Sequence, residues 1–97
     1  MVIQYFEGCP NWQTSERRLR EALDQTGHSD VPVDREEVET PENAERLGFV
    51  GSPTVLVDGI DPFAQAGASA GLACRVYVTP DGLAGSPTVE QLAEVLR

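Results

Sequence analysis

The chain has 97 residues, 40% of them hydrophobic, which suits one domain spanning 1–97 and leaves no room for a second. Sixteen Asp and Glu face seven Lys and Arg, a formal net charge of −9. Such a surface repels phosphate backbones and anionic lipid, so neither nucleic acid nor a membrane is an expected partner.

The opening MVIQYFEGCPNW has no basic start and no long apolar run. No stretch approaches the roughly 20 apolar residues of a membrane span. Two cysteines in such a chain predict reduced thiols in a cytoplasmic setting, not a disulfide framework. Val2 to Phe6 is β-rich and ends at Glu7-Gly8, a first strand. Pro10 suits the first turn of a helix, where its missing N–H has no intrahelical partner to lose. From Asn11 to Thr26 the apolar residues Trp12, Leu19, Ala22 and Leu23 recur at helical spacing and mark one buried face. Gly27 then supplies a left-handed C-terminal cap, and the lone His28 stabilises that helix end.

Val31 to Val38 alternates and reads as a second, partly solvated strand near a sheet edge. Thr40-Pro41-Glu42 opens a short helix that Gly48 ends. Thr54 to Val57 is a third strand, stopped by Asp58-Gly59. Residues 60–73 lack periodicity and hold a lone aromatic, Phe63; a loop of that length in a compact domain is functional or mobile. Arg75 to Val78 is a fourth strand and Pro80-Asp81-Gly82 a turn. Asp58, Asp61 and Asp81 fall in turns beside Gly or Pro, which accounts for them without a metal. Thr88 and Gln91 form a capping box for a last helix carrying Leu92, Val95 and Leu96 inward. Gly-Ser-Pro-Thr-Val occurs at 51–55 and again at 85–89, leading first into a strand and then into a helix, so it marks no structural repeat.

This βαβαββα order, with Cys9-Pro10 between the first strand and first helix, resembles the thioredoxin-like superfamily. The run from Glu42 to Thr54, a short helix followed by Gly48-Phe49-Val50-Gly51-Ser52-Pro53-Thr54, is similar to the second helix and cis-proline loop of thioredoxins. The likeness spans nearly the whole chain. Within the superfamily, GCPNW, GSPTV-x-VDG-x-DPFA and GLACRVY look like a small bacterial group whose members are labelled thioredoxin-family or alkylmercury lyase-like. The lyase pattern pairs two reactive cysteines with a nearby Asp, whereas Trp12 stands three positions after Cys9. The resemblance implies a four-stranded mixed sheet with helices on both faces. It also implies a cis bond at Pro53 that turns the backbone of Ser52 toward Cys9, where it can pair with a substrate strand. Cys9 and Pro53 are then the catalytic candidates, with Pro10, Trp12, Ser52 and Thr54 lining the substrate. Trp12 could equally serve as core.

The chemistry expected of Cys9 follows from its place at a helix N-terminus. Unpaired N–H groups and the helix dipole favour an anion there and lower the thiol pKa. The thiolate can attack a disulfide or bind a soft metal. CPNW places Trp12 where CxxC has its resolving thiol, an arrangement resembling monothiol glutaredoxins. A mixed disulfide on Cys9 must then be resolved by an outside thiol or by Cys74, the possible second thiol. Arg17, Arg18 and Arg20 lie well into the helix and form no clear basic cluster for a glutathione carboxylate.

In the implied fold the fourth strand starts at the far end of the third, roughly 15 Å from Cys9 for five extended residues. A disulfide needs Cα atoms within about 7 Å. The expectation is therefore no internal bridge, with Cys74 a buried small apolar residue. The leading function is monothiol exchange with a protein or small-molecule thiol or disulfide. A non-catalytic binding module and soft-metal handling by Cys9, with or without Cys74, are the rivals. Nothing in the chain reads as a phosphate loop, zinc cluster or hydrolytic triad, and no cofactor or metal is expected.

Overall fold

The computed structural model describes residues 1–65 and 67–97; Ala66, within the 60–73 segment, lies outside the described residues. Among the described residues, three helices and five short strands follow in the order β1 (Val2–Tyr5), α1 (Asn11–Gln25), β2 (Asp34–Glu37), α2 (Pro41–Leu47), β3 (Thr54–Leu56), β4 (Tyr77–Thr79), β5 (Gly82–Ala84) and α3 (Val89–Leu96). The chain is thus mixed α/β. Its main sheet has three strands, ordered β2-β1-β3, with β1 parallel to β2 and antiparallel to β3.

The expected fourth strand does not join that sheet. It begins two residues late, at Tyr77, and forms a separate antiparallel hairpin with β5, Val78 opposite Leu83. The physical cause lies in residues 73–75. Instead of returning antiparallel to β3, they run parallel to the Ser52 segment, with a single bridge at Ser52 and Cys74. The Pro80-Asp81-Gly82 turn is where the sequence places it, with Gly82 at φ +107.

The helix ends obey local chemistry. Thr40 accepts from the Asn43 N–H and Gly48 closes α2 in the left-handed region. Thr88 and Gln91 complete a reciprocal capping box, satisfying two N–H groups that the first turn leaves unpaired. At the end of α1, Gly27 adopts φ +80 and the His28 N–H donates to the Leu23 carbonyl. The His28 ring nitrogen lies 3.3 Å from the Leu96 carbonyl, tying the ends of α1 and α3 together.

Leu19, Ala22 and Leu23 of α1 pack with Val55 and with Leu92 and Ala93 of α3, forming the main core on one face of the sheet. Ile3 and Tyr5 extend that face to Trp12. Val38, Ala44 and Phe49 form a smaller cluster with Phe6 and Leu72. By strand alternation Phe6 and Val38 belong to the opposite face, so α2 covers the side that α1 and α3 leave open. β2 is an edge strand and mostly exposed, as its charged sequence predicts. Among the described residues, no helix is long and apolar enough to cross a membrane.

Candidate functional site

Cys9 follows a tight turn in which its own N–H donates to the Phe6 carbonyl at 3.2 Å. It sits just ahead of α1, whose N-cap position is Pro10 at φ −75 with no side-chain cap. Pro10 is exposed and Cys9 is fully buried. Cys9 is joined to Cys74 by a disulfide, with Cα atoms 5.8 Å apart. This overturns two expectations, that the cysteines lie roughly 15 Å apart and that they stand as separate reduced thiols. Cys74 is also exposed, not a buried apolar filler. Residue 74 lies beside Ser52, paired parallel to it, rather than at the far end of the third strand.

Ser52 organises the site. Its N–H donates to the Ala73 carbonyl at 2.8 Å and its carbonyl accepts from the Arg75 N–H at 2.9 Å. These two bonds clamp Cys74 between them. The Ser52 hydroxyl accepts from the Phe6 N–H at 3.3 Å, and its carbonyl oxygen lies 3.6 Å from Cys9 Sγ. The Ser52–Pro53 bond is cis, as the resemblance implies. The backbone expected to receive a substrate strand is occupied by the chain's own residues 73–75.

Gly51 makes that close approach possible. Its φ is +139, and a Cβ built there would sit 2.9 Å from Arg75 Cβ and 3.2 Å from Arg75 Cα. Thr54, also buried, donates its hydroxyl to the Gly51 carbonyl at 2.7 Å. Pro53 is fully buried, and its carbonyl accepts from the Tyr77 hydroxyl.

Arg75 anchors the Cys74 strand from beneath. Its guanidinium donates to Thr54 Oγ1, to Asp61 Oδ2 at 2.7 Å and to the Phe63 carbonyl at 2.6 Å, and it lies over the Tyr77 ring. The Arg75 and Asp61 side chains are only 8% and 17% exposed, so this ion pair is held out of water and its removal costs more than that of a surface pair. Asp61 is therefore more than a turn residue, although it also accepts from the Phe63 N–H as turn chemistry predicts. Phe63 meets Tyr77 edge-to-face. Burial holds the Tyr77 hydroxyl well above the ordinary tyrosine range; the nearby Arg75 opposes this and Asp61 adds to it.

Trp12 is placed in packing. Its indole stacks on Tyr5 at 4.3 Å with Arg35 over its face, and it is buried. Arg35 in turn pairs with Glu16, and this bond holds the Glu16 carboxyl below its usual range. Of the residues proposed to line a substrate, Ser52 and Thr54 adjoin the disulfide or its supporting strand. Pro10 flanks Cys9 from solvent, and Trp12 faces the β1 core. Arg18 and Arg20 are committed to backbone carbonyls at Pro87, Ser29 and Val31. A groove of about 630 Å³ along α1 and β2, lined by Gln13, Arg17 and Arg35 among others, involves none of the residues around the disulfide.

Asn11, Ala73 and Arg75 were not singled out as site residues in the sequence, and Asp61 was read only as a turn residue. Asn11 Nδ2 donates toward Cys9 Sγ at 3.8 Å, a weak interaction with a neutral disulfide sulfur that strengthens when the sulfur carries charge. Gly85 gives it room, since a Cβ there would collide with the Asn11 carboxamide. Nearby, Ser15 and Ser86 share a buried 2.6 Å hydrogen bond. Both copies of Gly-Ser-Pro-Thr-Val thus border the first turn of α1 or the cysteine that precedes it, in different local structures. Compared with known proteins, the chain matches no family model, no curated protein and no solved structure.

Proposed function

We propose that this chain is a thioredoxin-like thiol–disulfide exchange protein whose redox couple is Cys9 with Cys74. The observation that carries this reading is the disulfide itself, formed between a buried cysteine at a helix N-terminus and an exposed one clamped on the Ser52 backbone. In this reading Cys74 is the second thiol that CPNW lacks, so the single-thiol cycle expected from Trp12 becomes a two-thiol cycle with partners far apart in sequence. Reduced, Cys9 is the nucleophilic thiolate, stabilised by the N-terminus of α1 and by Asn11. Oxidised, the pair stores two electrons' worth of oxidising capacity, returned when a thiol partner reduces it. In the cytoplasmic setting that the sequence suggests, the dithiol is the resting form and a protein or small-molecule disulfide is its substrate.

The test is turnover of a model disulfide by the reduced protein in the presence of a regenerating thiol. Turnover through this couple needs both thiols, so Cys9→Ser and Cys74→Ser each abolish it. A pair that stays closed in the folded protein under excess thiol would make the bridge a structural staple and end this reading.

A second reading rests on the same 5.8 Å Cα spacing. The reduced pair could hold one soft cation between two thiolates, as the alkylmercury lyase-like label suggests. Titration with mercuric ion gives one equivalent bound per dithiol on this reading, and binding unaffected by Cys74→Ser would refute it.

A further inference from the structure

Taking the exchange function as given, we propose that an external thiol enters the oxidised protein at Cys74, and that Cys9 is the thiolate that leaves. This polarity is set by which sulfur can be reached and which can best carry the charge.

Displacement at sulfur requires the incoming thiolate to approach along the extension of the S–S bond, so the attacked sulfur must be open to solvent on its far side. Cys9 is fully buried, roofed by the Ser52 carbonyl and the first turn of α1. Cys74 is exposed. Residues 74, 76 and 78 are exposed while Arg75, Tyr77 and Thr79 are buried, and the pairing with Ser52 holds Cys74 in this exposed run. The leaving side is equally asymmetric. Charge developing on Cys9 Sγ meets the Asn11 carboxamide and the unpaired N–H groups at the start of α1, both of which favour an anion. Cys74 sits between two backbone hydrogen bonds already used in the Ser52 pairing.

A monothiolate RS⁻ attacks Cys74 Sγ, a bond forms between them, and the Cys9–Cys74 bond breaks with its electron pair going to Cys9. A second RS⁻ attacks the mixed disulfide and releases RSSR and the Cys74 thiolate. Two thiols are oxidised and the protein disulfide is reduced. In reverse, the buried Cys9 thiolate needs to reach only its own Cys74, and every outside partner is met by Cys74.

The experiment treats the oxidised wild-type protein with 2-mercaptoethanol, a small thiol with no charge beyond that of its reacting thiolate. The reaction is quenched with acid and maleimide at the earliest times, and both cysteine peptides are mapped by mass spectrometry. The expected first product carries mercaptoethanol on Cys74 and maleimide on Cys9, in excess over the opposite isomer by roughly tenfold or more, given the dependence of exchange on access. As a check on later shuffling, Cys9→Ser and Cys74→Ser proteins loaded with mercaptoethanol are reduced by fresh thiol, and the adduct on Cys74 is removed faster by a similar factor. An early adduct on Cys9, or equal amounts of both, overturns the entry route while leaving exchange intact. A bridge that opens only in denaturant overturns both.

Discussion

Opening the Cys9–Cys74 bridge has a cost in stability that can be worked from its place in the chain. The cysteines are 65 residues apart, so the link constrains most of the unfolded chain. For a loop of that size the lost denatured-state entropy is about 14 cal/mol/K, or about 4 kcal/mol near room temperature. A domain of this length has a total stability on the order of 5–15 kcal/mol, so the reduced protein stays folded but loses a large share of its margin. With a urea dependence of about 1–2 kcal/mol per molar, reduction lowers the unfolding midpoint by about 2–4 M. The slope steepens as well, because an uncrosslinked chain exposes more surface on unfolding. Linkage gives the reciprocal statement: the folded protein closes the disulfide about a thousandfold more readily than the unfolded chain does. Urea titrations of the oxidised protein, the reduced protein and Cys74→Ser measure this directly. Midpoints within about 0.5 M of one another, against the shift expected from loop closure, would refute the reasoning.

Gly51→Ala strains φ +139 and pushes a methyl into the Arg75 backbone, destabilising by about 2–4 kcal/mol. Gly59→Ala, at φ +80 with nothing within 4 Å, costs only about 1 kcal/mol; equal costs at the two sites would remove the close-approach argument. Arg75→Met strands Asp61 and two further acceptors, Thr54 Oγ1 and the Phe63 carbonyl, and costs about 2–4 kcal/mol in denaturant unfolding. In a double-mutant cycle with Asp61→Asn, the combined loss falls below the sum of the single losses; additivity would show that the pair is not coupled. Tyr77 is protonated in both folded and unfolded chains below the ordinary tyrosine pKa of about 10. Because burial raises its folded value, its contribution is complete below that pH and is lost as pH rises toward the folded pKa. Tyr77→Phe therefore flattens part of the alkaline decline in stability, and an unchanged decline argues against a buried Tyr77. Asn11→Ala slows opening of the disulfide by 2-mercaptoethanol about two- to fivefold, for one weak bond to the departing thiolate. A stopped-flow rate equal to wild type would exclude Asn11 from the step.

Local chemistry made much of the frame legible. The helical spacing of Trp12, Leu19, Ala22 and Leu23, the caps at Thr40 and Thr88 and the left-handed Gly27 and Gly48 each depend on neighbours within a few residues, and each element formed where its signals stand. The parallel pairing of the first two strands across α1 follows from the same order. The hairpin strand β5 was missed, as Gly82-Leu83-Ala84 is too short to carry a period. The inward face of the preceding strand was also unreadable. Val76 and Val78 are the apolar residues there, yet Arg75 and Tyr77 turn inward because Asp61, Thr54, Phe63 and Pro53 supply their polar partners.

By itself the sequence determined where helices begin and end and which cysteine precedes a helix, since those features rest on short-range sterics and hydrogen bonding; that Ser52-Pro53 stands opposite that cysteine was implied only by the resemblance. The tertiary structure alone decided that Cys74 is the partner. That outcome depends on residues 73–75 pairing with Ser52, on Arg75 finding Asp61 and on Gly51 leaving room for the Arg75 backbone. None of those three conditions is a property of neighbouring residues, so the pairing became visible only once the chain was folded.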